Sequence, residues 1–344
     1  MNTSRNSWQR YGAVLLCAST ALISLGCVHG GGSSNNDEQA EQDTDPSEQY
    51  ESVDARGGSG DICEKTSEQL LKACKLEARD DAQVESAKCL NLTDPQAAEA
   101  CINAAEEARD DTIEECAIVR DARNQVCTKL GGGAYDPVIN PANFVAGISN
   151  PFTPFPPGAF RVYEKQTAEG LERIRVEVLP ETREIMGVTV TTLRDTVTLD
   201  GVLIEDTLDW LAQDVDGNVW YFGEIVQNFE NGMLSDLDGS FETGKAGAKP
   251  GFWSKAAPQV GDFFRQEWDL SNAEDVVEVI SLDARDTTVP FSQNGTGPVL
   301  KTRDTTPLSP DAVEFKYYVP GIGFALEVNP DTGERLELID YGPR

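Results

Sequence analysis

The sequence contains almost no histidine: its single one, His29, lies close to the N-terminus. A Ser-His-Asp triad, a Cys-His dyad and histidine-ligated zinc, copper or haem sites all need at least one imidazole. None of them can therefore be built from the residues that follow the N-terminal segment. Catalysis in this chain would have to use carboxylates, lysine, tyrosine or a carboxylate-bound metal, and we expect a protein without enzymatic activity.

Basic side chains are also scarce, with 28 lysines and arginines against 59 aspartates and glutamates and a net charge of −31. Phosphate backbones and anionic lipid headgroups are repelled by such a surface, so we expect no nucleic-acid partner and no docking onto anionic membranes. Strong acidity keeps a protein soluble and can collect cations. It is also typical of proteins from salty habitats.

The main long apolar run lies at the N-terminus. Residues 11–25 are uncharged and mostly apolar, follow Arg5 and Arg10, and match a signal-peptide core in length rather than a membrane span. The run ends in Ser-Leu-Gly-Cys27, which resembles a bacterial lipobox. We predict a lipoprotein signal peptide over residues 1–27 and lipid modification of Cys27, with ordinary signal cleavage as the alternative.

Residues 28–60 are polar, acidic and rich in Gly, Ser and Gln, a composition that predicts a disordered tether. An anchor, a tether and then folded domains is the layout of a bacterial surface or periplasmic lipoprotein. Val28, rather than aspartate, follows Cys27, which favours the outer membrane. We expect attachment to the cell envelope, at the outer membrane or cell surface, through the lipid anchor alone.

The cysteines after the tether have a palindromic spacing centred on Pro95, with successive separations of 11, 15, 12, 15 and 11 positions. Asp94 and Pro95 are an N-cap and a first-turn proline, and both flanking segments are rich in helix formers. Two antiparallel helices folded at Pro95 would bring the cysteines face to face. We predict a disulfide-linked α-hairpin over residues 61–130 in an oxidising compartment. The predicted bridges are Cys63–Cys127, Cys74–Cys116 and Cys89–Cys101.

The apolar face of this hairpin is thin. Its members at helical spacing are Leu70, Leu71, Leu76, Val84, Ile113, Ile118 and Val119. A core of this size usually needs covalent bridges, which favours a structural role for the cysteines over metal binding or redox chemistry.

Residues 131–158 are rich in Pro, Asn and Phe and predict a linker that packs its aromatic rings onto the next domain. From residue 159 to the C-terminus at 344, apolar and polar residues alternate, with many β-branched and aromatic side chains. This pattern predicts antiparallel strands with one solvated face, joined by turns such as Asp200-Gly201.

Five short motifs recur in the same order about 100 to 110 residues apart in this β domain. Examples are Phe160-Arg161 with Phe264-Arg265, and 176–179 with 277–280. We therefore expect an internal duplication. The predicted fold class is α+β: a disulfide-linked antiparallel α-hairpin followed by a mainly antiparallel β domain, as a curved sheet or half-barrel.

Several segments resemble a group of uncharacterised bacterial secreted proteins. They are the cysteine-rich helical segment, 150–152, 162–164, 214–224 and 317–323, so the resemblance spans roughly residues 63–340. It implies a helical segment followed by a β domain and brings no activity or site residues. The expected curved sheet is also similar to periplasmic lipoproteins that bind lipid-like molecules.

Asp214, Asp216 and Asn218 form a candidate calcium loop. An EF-hand has glycine at its sixth position and glutamate at its twelfth, whereas here glycine is fourth and Ile225 twelfth. Asp-Gly and Gly-Asn between alternating segments are also common hairpin turns, the interpretation that we favour. No cofactor other than this Ca²⁺ alternative is predicted.

Aromatic residues are concentrated in the β domain and predict a ligand cleft on a concave sheet, with core packing as the alternative. The candidate cleft residues are Trp210, Trp220, Phe222, Trp253, Trp268 and Tyr317. Residues 249–253 are expected to form a loop at its rim. Glu224, with Asp209 and Asp214 nearby, is a candidate carboxylate pair for glycoside hydrolysis.

These patterns favour a non-enzymatic binding module on the cell envelope for an apolar or amphipathic, lipid-like ligand. One alternative is a structural or assembly partner of other envelope proteins, which would dock on the acidic hairpin or on a sheet edge. The other is a carboxylate-based hydrolase, with or without calcium.

Overall fold

A computed structural model describes residues 61–285, 288–295 and 297–343. The predicted signal peptide, Cys27 and the tether lie outside the described residues. Two helices open the described part, α1 (Ile62–Cys89) and α2 (Pro95–Leu130). No helix in these ranges combines the length and apolarity that crossing a bilayer requires.

Helix α2 begins and ends where the sequence provides caps. The Asp94 side chain accepts a hydrogen bond from the Gln96 N–H at 3.1 Å, and Pro95 occupies the first turn. At the other end, Gly131 adopts a left-handed conformation with φ of 88°, which glycine tolerates best.

Three disulfides join α1 to α2 in the predicted nested order: Cys63–Cys127, Cys74–Cys116 and Cys89–Cys101. The bridged Cα atoms are only 5.6–5.9 Å apart. This is the ordinary Cα separation of a disulfide, and it leaves room for only short side chains between the facing backbones.

Small residues therefore form the seam between the helices, where Ala78, Ala82 and Ala105 are buried. The predicted apolar face is wrong in part, because Leu76 and Ile118 are 64% and 50% exposed. Leu76 and Ile118 each follow a bridged cysteine, Cys74 or Cys116, by two residues, which is about 200° around the helix, so they face away from the partner helix.

Sixteen strands follow α2 and form one antiparallel sheet within the described residues. Their bounds are β1 (Phe144–Val145), β2 (Ala159–Gln166), β3 (Leu171–Ile185), β4 (Val188–Leu199), β5 (Val202–Asp214), β6 (Val219–Glu230), β7 (Met233–Asp236), β8 (Phe241–Glu242), β9 (Lys249–Ser254), β10 (Phe263–Arg265), β11 (Glu267–Trp268), β12 (Val276–Ala284), β13 (Val299–Thr306), β14 (Ser309–Val319), β15 (Gly323–Val328) and β16 (Arg335–Pro343). Short 3₁₀ turns lie at Pro141–Asn143 and Ser292–Asn294.

The sheet curls into a nearly closed barrel. Its order is β10-β12-β13-β14-β15-β16-β2-β3-β4-β5-β6-β9-β11, while β1 pairs with β5 and both β7 and β8 pair with β6. The two end strands, β10 and β11, are neighbours in the chain with only Gln266 between them. The fold is thus the predicted α+β class, with a sheet closed further than a half-barrel.

Gly251 permits this closure. A side chain there would place its Cβ only 2.2 Å from the backbone oxygen of Gln266. The sequence prediction of a loop over residues 249–253 is wrong, because β9 pairs with both β6 and β11 at this point.

The barrel contains two meanders of five strands, β2 to β6 and β10 with β12 to β15, and the internal duplication stays a prediction. The strand register shows that one repeated motif is misaligned by one residue between the two meanders. Phe160 lies opposite Glu177, and its counterpart opposite Glu278 is Phe263. Arg161 therefore does not correspond to Arg265: Arg161 faces the barrel interior, whereas Arg265 faces the hairpin.

The linker packs onto the barrel as predicted for its aromatic residues. Phe155 is buried in the main core, and Phe144 packs against Phe222 with ring centroids 5.5 Å apart. The base of the hairpin docks nearby through the Arg123–Glu274 ion pair, at 2.7 Å and with both side chains buried. Lys129 adds a contact with Glu278 at 2.6 Å.

Candidate functional site: a cleft between the hairpin and the barrel

A cavity with a volume of about 150 Å³ lies where the hairpin base meets the barrel. One wall comes from the helices, the other from the barrel, and the chain that leaves α2 forms the floor. Apolar and aromatic side chains dominate its lining: Ile62, Leu70, Val126, Tyr135, Trp268, Leu270 and Pro307. We call this cavity the hairpin cleft.

Aromatic rings form the floor of the hairpin cleft. Tyr135 and Trp268 have ring centroids 6.2 Å apart, and the Tyr135 hydroxyl donates to the Pro250 carbonyl at 2.7 Å. Lys249 lies 4.9 Å from the Trp268 ring centroid, a cation–π contact. Burial raises the pKa of Tyr135 to about 12, so its hydroxyl stays protonated.

Four charged side chains line the cleft, three cationic and one anionic. Arg123 forms a forked pair with Glu274, with contacts of 2.7–3.1 Å that use both carboxylate oxygens. Lys249 pairs with Asp136 at 2.9 Å and also donates to the Tyr135 carbonyl. Two of the three cations are thereby matched by carboxylates.

Arg265 is the third cation, and no carboxylate of the described residues forms an ion pair with it. It is 7% exposed, its Nε has no hydrogen-bond partner among the described residues, and its Nη2 contacts only the Cys63 sulfur at 3.6 Å. Burial lowers the pKa of its guanidinium, while Glu274 opposes that effect. An arginine so placed still carries its charge, because the guanidinium is not deprotonated in proteins.

The six aromatic residues of the predicted cleft do not converge on one site. Trp268 lines the hairpin cleft, and Trp253 lines a cavity of only about 20 Å³ inside the barrel. Trp210 and Phe222 belong to a separate packed cluster, with Trp220 against it. Tyr317 is buried in β14 below the Lys301 ammonium.

The barrel interior does not offer the predicted concave cleft, because side chains fill it. The small interior cavity, lined by Phe155, Arg161 and Tyr318 among others, has room for about one water molecule. The cavity between the barrel and the hairpin is larger, at about 150 Å³.

The candidate calcium loop adopts hairpin-turn geometry. The Asp214 carboxylate accepts four hydrogen bonds, from the backbone of Asp216 and Asn218, the Asn218 amide and the Trp220 indole, all at 2.9–3.0 Å. Asn218 in turn accepts from the Ala256 N–H at 3.0 Å. Across the described ranges, no three His, Cys, Asp or Glu residues are grouped so as to hold a metal ion.

Strand pairing brings the two candidate carboxylates together, but both are buried. Asp209 and Glu224 lie directly opposite each other in β5 and β6, and they are 0% and 1% exposed. Neither lines the hairpin cleft or the interior cavity, and Asp214 lies away from them at the end of β5. A sugar bound in either cavity would therefore not contact this pair.

Sequence reasoning identified Trp268 and Lys249 but missed Tyr135, Arg265 and Arg123. The sequence pattern places Tyr135 in the predicted linker and Arg265 in a repeated motif, and it assigns neither to a site. Their meeting depends on how the hairpin docks on the barrel, which the local pattern does not specify. The sequence does contain a signal for Arg265, which is a single basic residue among aromatic and acidic neighbours.

Comparison with known proteins gives no family. No family model matches the chain, and no curated protein matches it either. Among solved structures, a protein from Parabacteroides distasonis described as "a putative lipoprotein" aligns over 56% of this chain and 98% of its own length. Its identity is 12% and its TM-score 0.28, a likeness too low to support conclusions about this chain.

Proposed function

We propose that this chain is a lipid-anchored cell-envelope protein that binds a small apolar or amphipathic ligand in the hairpin cleft. The anchor rests on the sequence around Cys27, and the oxidising compartment is supported by three disulfides in the hairpin. The observation that carries the binding function is the aromatic and apolar lining of the cleft.

The size of the cleft limits what it can hold. An apolar protein cavity of about 150 Å³ accommodates one benzene-sized ring. We therefore expect a single ring, or a short segment of an acyl chain, between Leu70 and Trp268. A whole diacyl lipid would need far more room.

The barrel beneath supports binding more than catalysis. Its fixed sheet holds Trp268 and Arg265, while the disulfide at Cys63–Cys127 holds the opposite wall. Rigid walls reduce the ordering cost that a ligand must offset.

The proposal can be tested with a filled cleft. Full-length protein in lipid nanodiscs is titrated with benzyl alcohol by calorimetry, and native mass spectra are recorded for co-purified ligands. We expect saturable binding that Leu70→Trp abolishes by filling the cleft. Leu76→Trp, on the exposed face of the same helix, is the matched control and should bind like the parent protein. Equal binding by both variants would exclude the cleft as the site.

A second candidate function is docking of another envelope protein on the hairpin. The observation that favours it is the exposure of Leu76, Val84 and Ile118 along the two helices, at 64%, 48% and 50%. Sheet-edge docking is less favoured, because the end strands β10 and β11 are only three and two residues long. Replacing the three apolar residues by Gln should abolish envelope cross-links if this function holds, without changing benzyl alcohol binding.

A further inference from the structure

The hairpin cleft contains one feature that a purely apolar ligand would not need. Arg265 lines it and is more than nine-tenths buried, and within the part of the chain that the structure describes its Nε has no hydrogen-bond partner and its guanidinium forms no ion pair. Burying a charge without a counter-ion is costly, and such charges in proteins are normally paired.

We propose that Arg265 binds the anionic group of the ligand, so that the ligand is a small amphipathic carboxylate. This inference rests on the proposed function. The apolar part would be a single aromatic ring or short acyl segment against Trp268, and the carboxylate would pair with the Arg265 guanidinium.

The neighbouring charges fit this assignment. Glu274, the carboxylate that lines the cleft, already pairs with both fork positions of Arg123 at 2.7–3.1 Å. Its oxygens also accept from the Ser271 N–H, and Glu274 acts on Arg265 through its charge without a hydrogen bond between the two side chains. The lining carries a net positive charge, in a protein whose overall charge is −31.

The geometry of arginine favours a carboxylate in particular. Its planar fork presents paired N–H donors that match the two oxygens of a carboxylate. The Arg265 guanidinium lies 5.6 Å from the Tyr135 ring centroid, so its orientation is supported on one face. An aromatic acid would then contact Tyr135 and Trp268 while its carboxylate meets Arg265.

A matched ligand pair tests the inference in the unmodified protein. Benzoate and benzyl alcohol have the same ring, but only benzoate carries a charge at about pH 7. Full-length protein in nanodiscs is titrated with each by calorimetry, with empty nanodiscs as the blank. We expect benzoate to bind at least about tenfold more tightly, as a charge-assisted pair should give.

Single substitutions then show which side chain gives the preference for benzoate. Arg265→Gln should remove the preference for benzoate over benzyl alcohol, whereas Arg265→Lys should keep part of it. Lys249→Gln is the control in the same cleft, because Lys249 already pairs with Asp136, and it should keep most of the preference. Circular dichroism and free-thiol counts establish that each variant is folded and oxidised.

The outcomes separate the two proposals. A preference lost in Arg265→Gln and kept in Lys249→Gln supports the carboxylate assignment. Equal affinities for benzoate and benzyl alcohol in the parent protein would overturn it and leave the apolar cleft standing. No binding of either compound would overturn both. If Arg265→Gln fails to fold, the comparison in the parent protein and Arg265→Lys decide.

Discussion

Asp209 and Glu224 lie directly opposite each other inside the barrel, and no cation pairs with either side chain in the described residues. The one hydroxyl proton of Tyr221 is donated to Asp209 at 2.7 Å, so it leaves Glu224 without that donor. Burial raises the pKa of both carboxyls, that of Asp209 to about 8 and that of Glu224 well above its usual range. The second half of the barrel differs, since Lys316 lies opposite Glu327 there.

The acidic interior predicts that stability falls as the pH rises. Burial raises the pKa of Glu205 and Glu172 to about 7, and that of Asp209 to about 8. The folded protein therefore keeps protons that the unfolded chain releases above about pH 4. This stabilisation is complete below the unfolded pKa values and is lost as the pH rises through the folded ones.

Urea denaturation between about pH 5 and pH 8 measures this effect. Each such group lowers the free energy of unfolding by at most about 1.4 kcal/mol per pH unit. A free energy of unfolding that rises steadily towards pH 8 would contradict the assignment of these carboxyls as protonated.

Replacing one member of the facing pair should stabilise the protein at high pH. We predict that Glu224→Gln raises the free energy of unfolding by about 1–3 kcal/mol near pH 8, because the neutral amide avoids a buried carboxylate facing Asp209. Near pH 5, where both carboxyls are protonated, the change should be small. Glu164→Gln, which removes an outer-face ion pair with Arg173, is the control and should change stability by less than about 1 kcal/mol. A destabilised Glu224→Gln at both pH values would mean that the carboxylate is needed.

We expect Lys316 to contribute far more to the free energy of unfolding than Lys301, which lies on the outer face of the barrel. It is 3% exposed and lies 3.2 Å from Asp304 and 3.5 Å from Glu314. We predict that Lys316→Met costs about 3–5 kcal/mol near pH 8, because buried carboxylates lose their cation. Lys301→Met, which loses cation–π contacts with Phe315 and Tyr317, should cost about 1 kcal/mol or less. Equal losses in chemical denaturation would contradict a special role for Lys316.

Sequence reasoning predicted the hairpin because its evidence is local. Cysteine spacing, Asp94 and Pro95 together specify two antiparallel helices, and strand alternation specifies an antiparallel sheet. Barrel closure could not be predicted in this way. It depends on the close approach of Gly251 to Gln266 where β9 pairs with β11, and the alternation of apolar and polar residues does not specify which strands pair.

The candidate site was less predictable for the same reason. Its two walls are more than 100 residues apart in sequence, as the Arg123–Glu274 pair shows. Aromatic content indicated a ligand site but assigned it to the concave sheet. The structure instead places Trp210 and Phe222 in a packed cluster and brings only Trp268 to the cleft.

We expect ligand binding in the cleft to depend on the disulfide at the hairpin base and not on the one at the tip. Cys63 lines the cleft and contacts Arg265, whereas the Cys89–Cys101 bridge lies at the far end of the helices. We predict that Cys63→Ser with Cys127→Ser weakens benzyl alcohol binding about tenfold or more, because the helical wall loosens. Cys89→Ser with Cys101→Ser should bind normally, although each pair of changes lowers stability by about 2–4 kcal/mol. Normal binding by the base variant would show that the cleft does not depend on this bridge.

The position of the ligand site is tested most directly by fluorine NMR of the five tryptophans in the chain. Full-length protein is labelled with 5-fluorotryptophan, and the Trp268 resonance is assigned by its loss in Trp268→Phe. On saturation with benzoate, we predict a shift of the Trp268 resonance while those of Trp210, Trp220 and Trp253 stay in place. A ligand that shifts the other three and leaves Trp268 unchanged would contradict the hairpin cleft as the binding site.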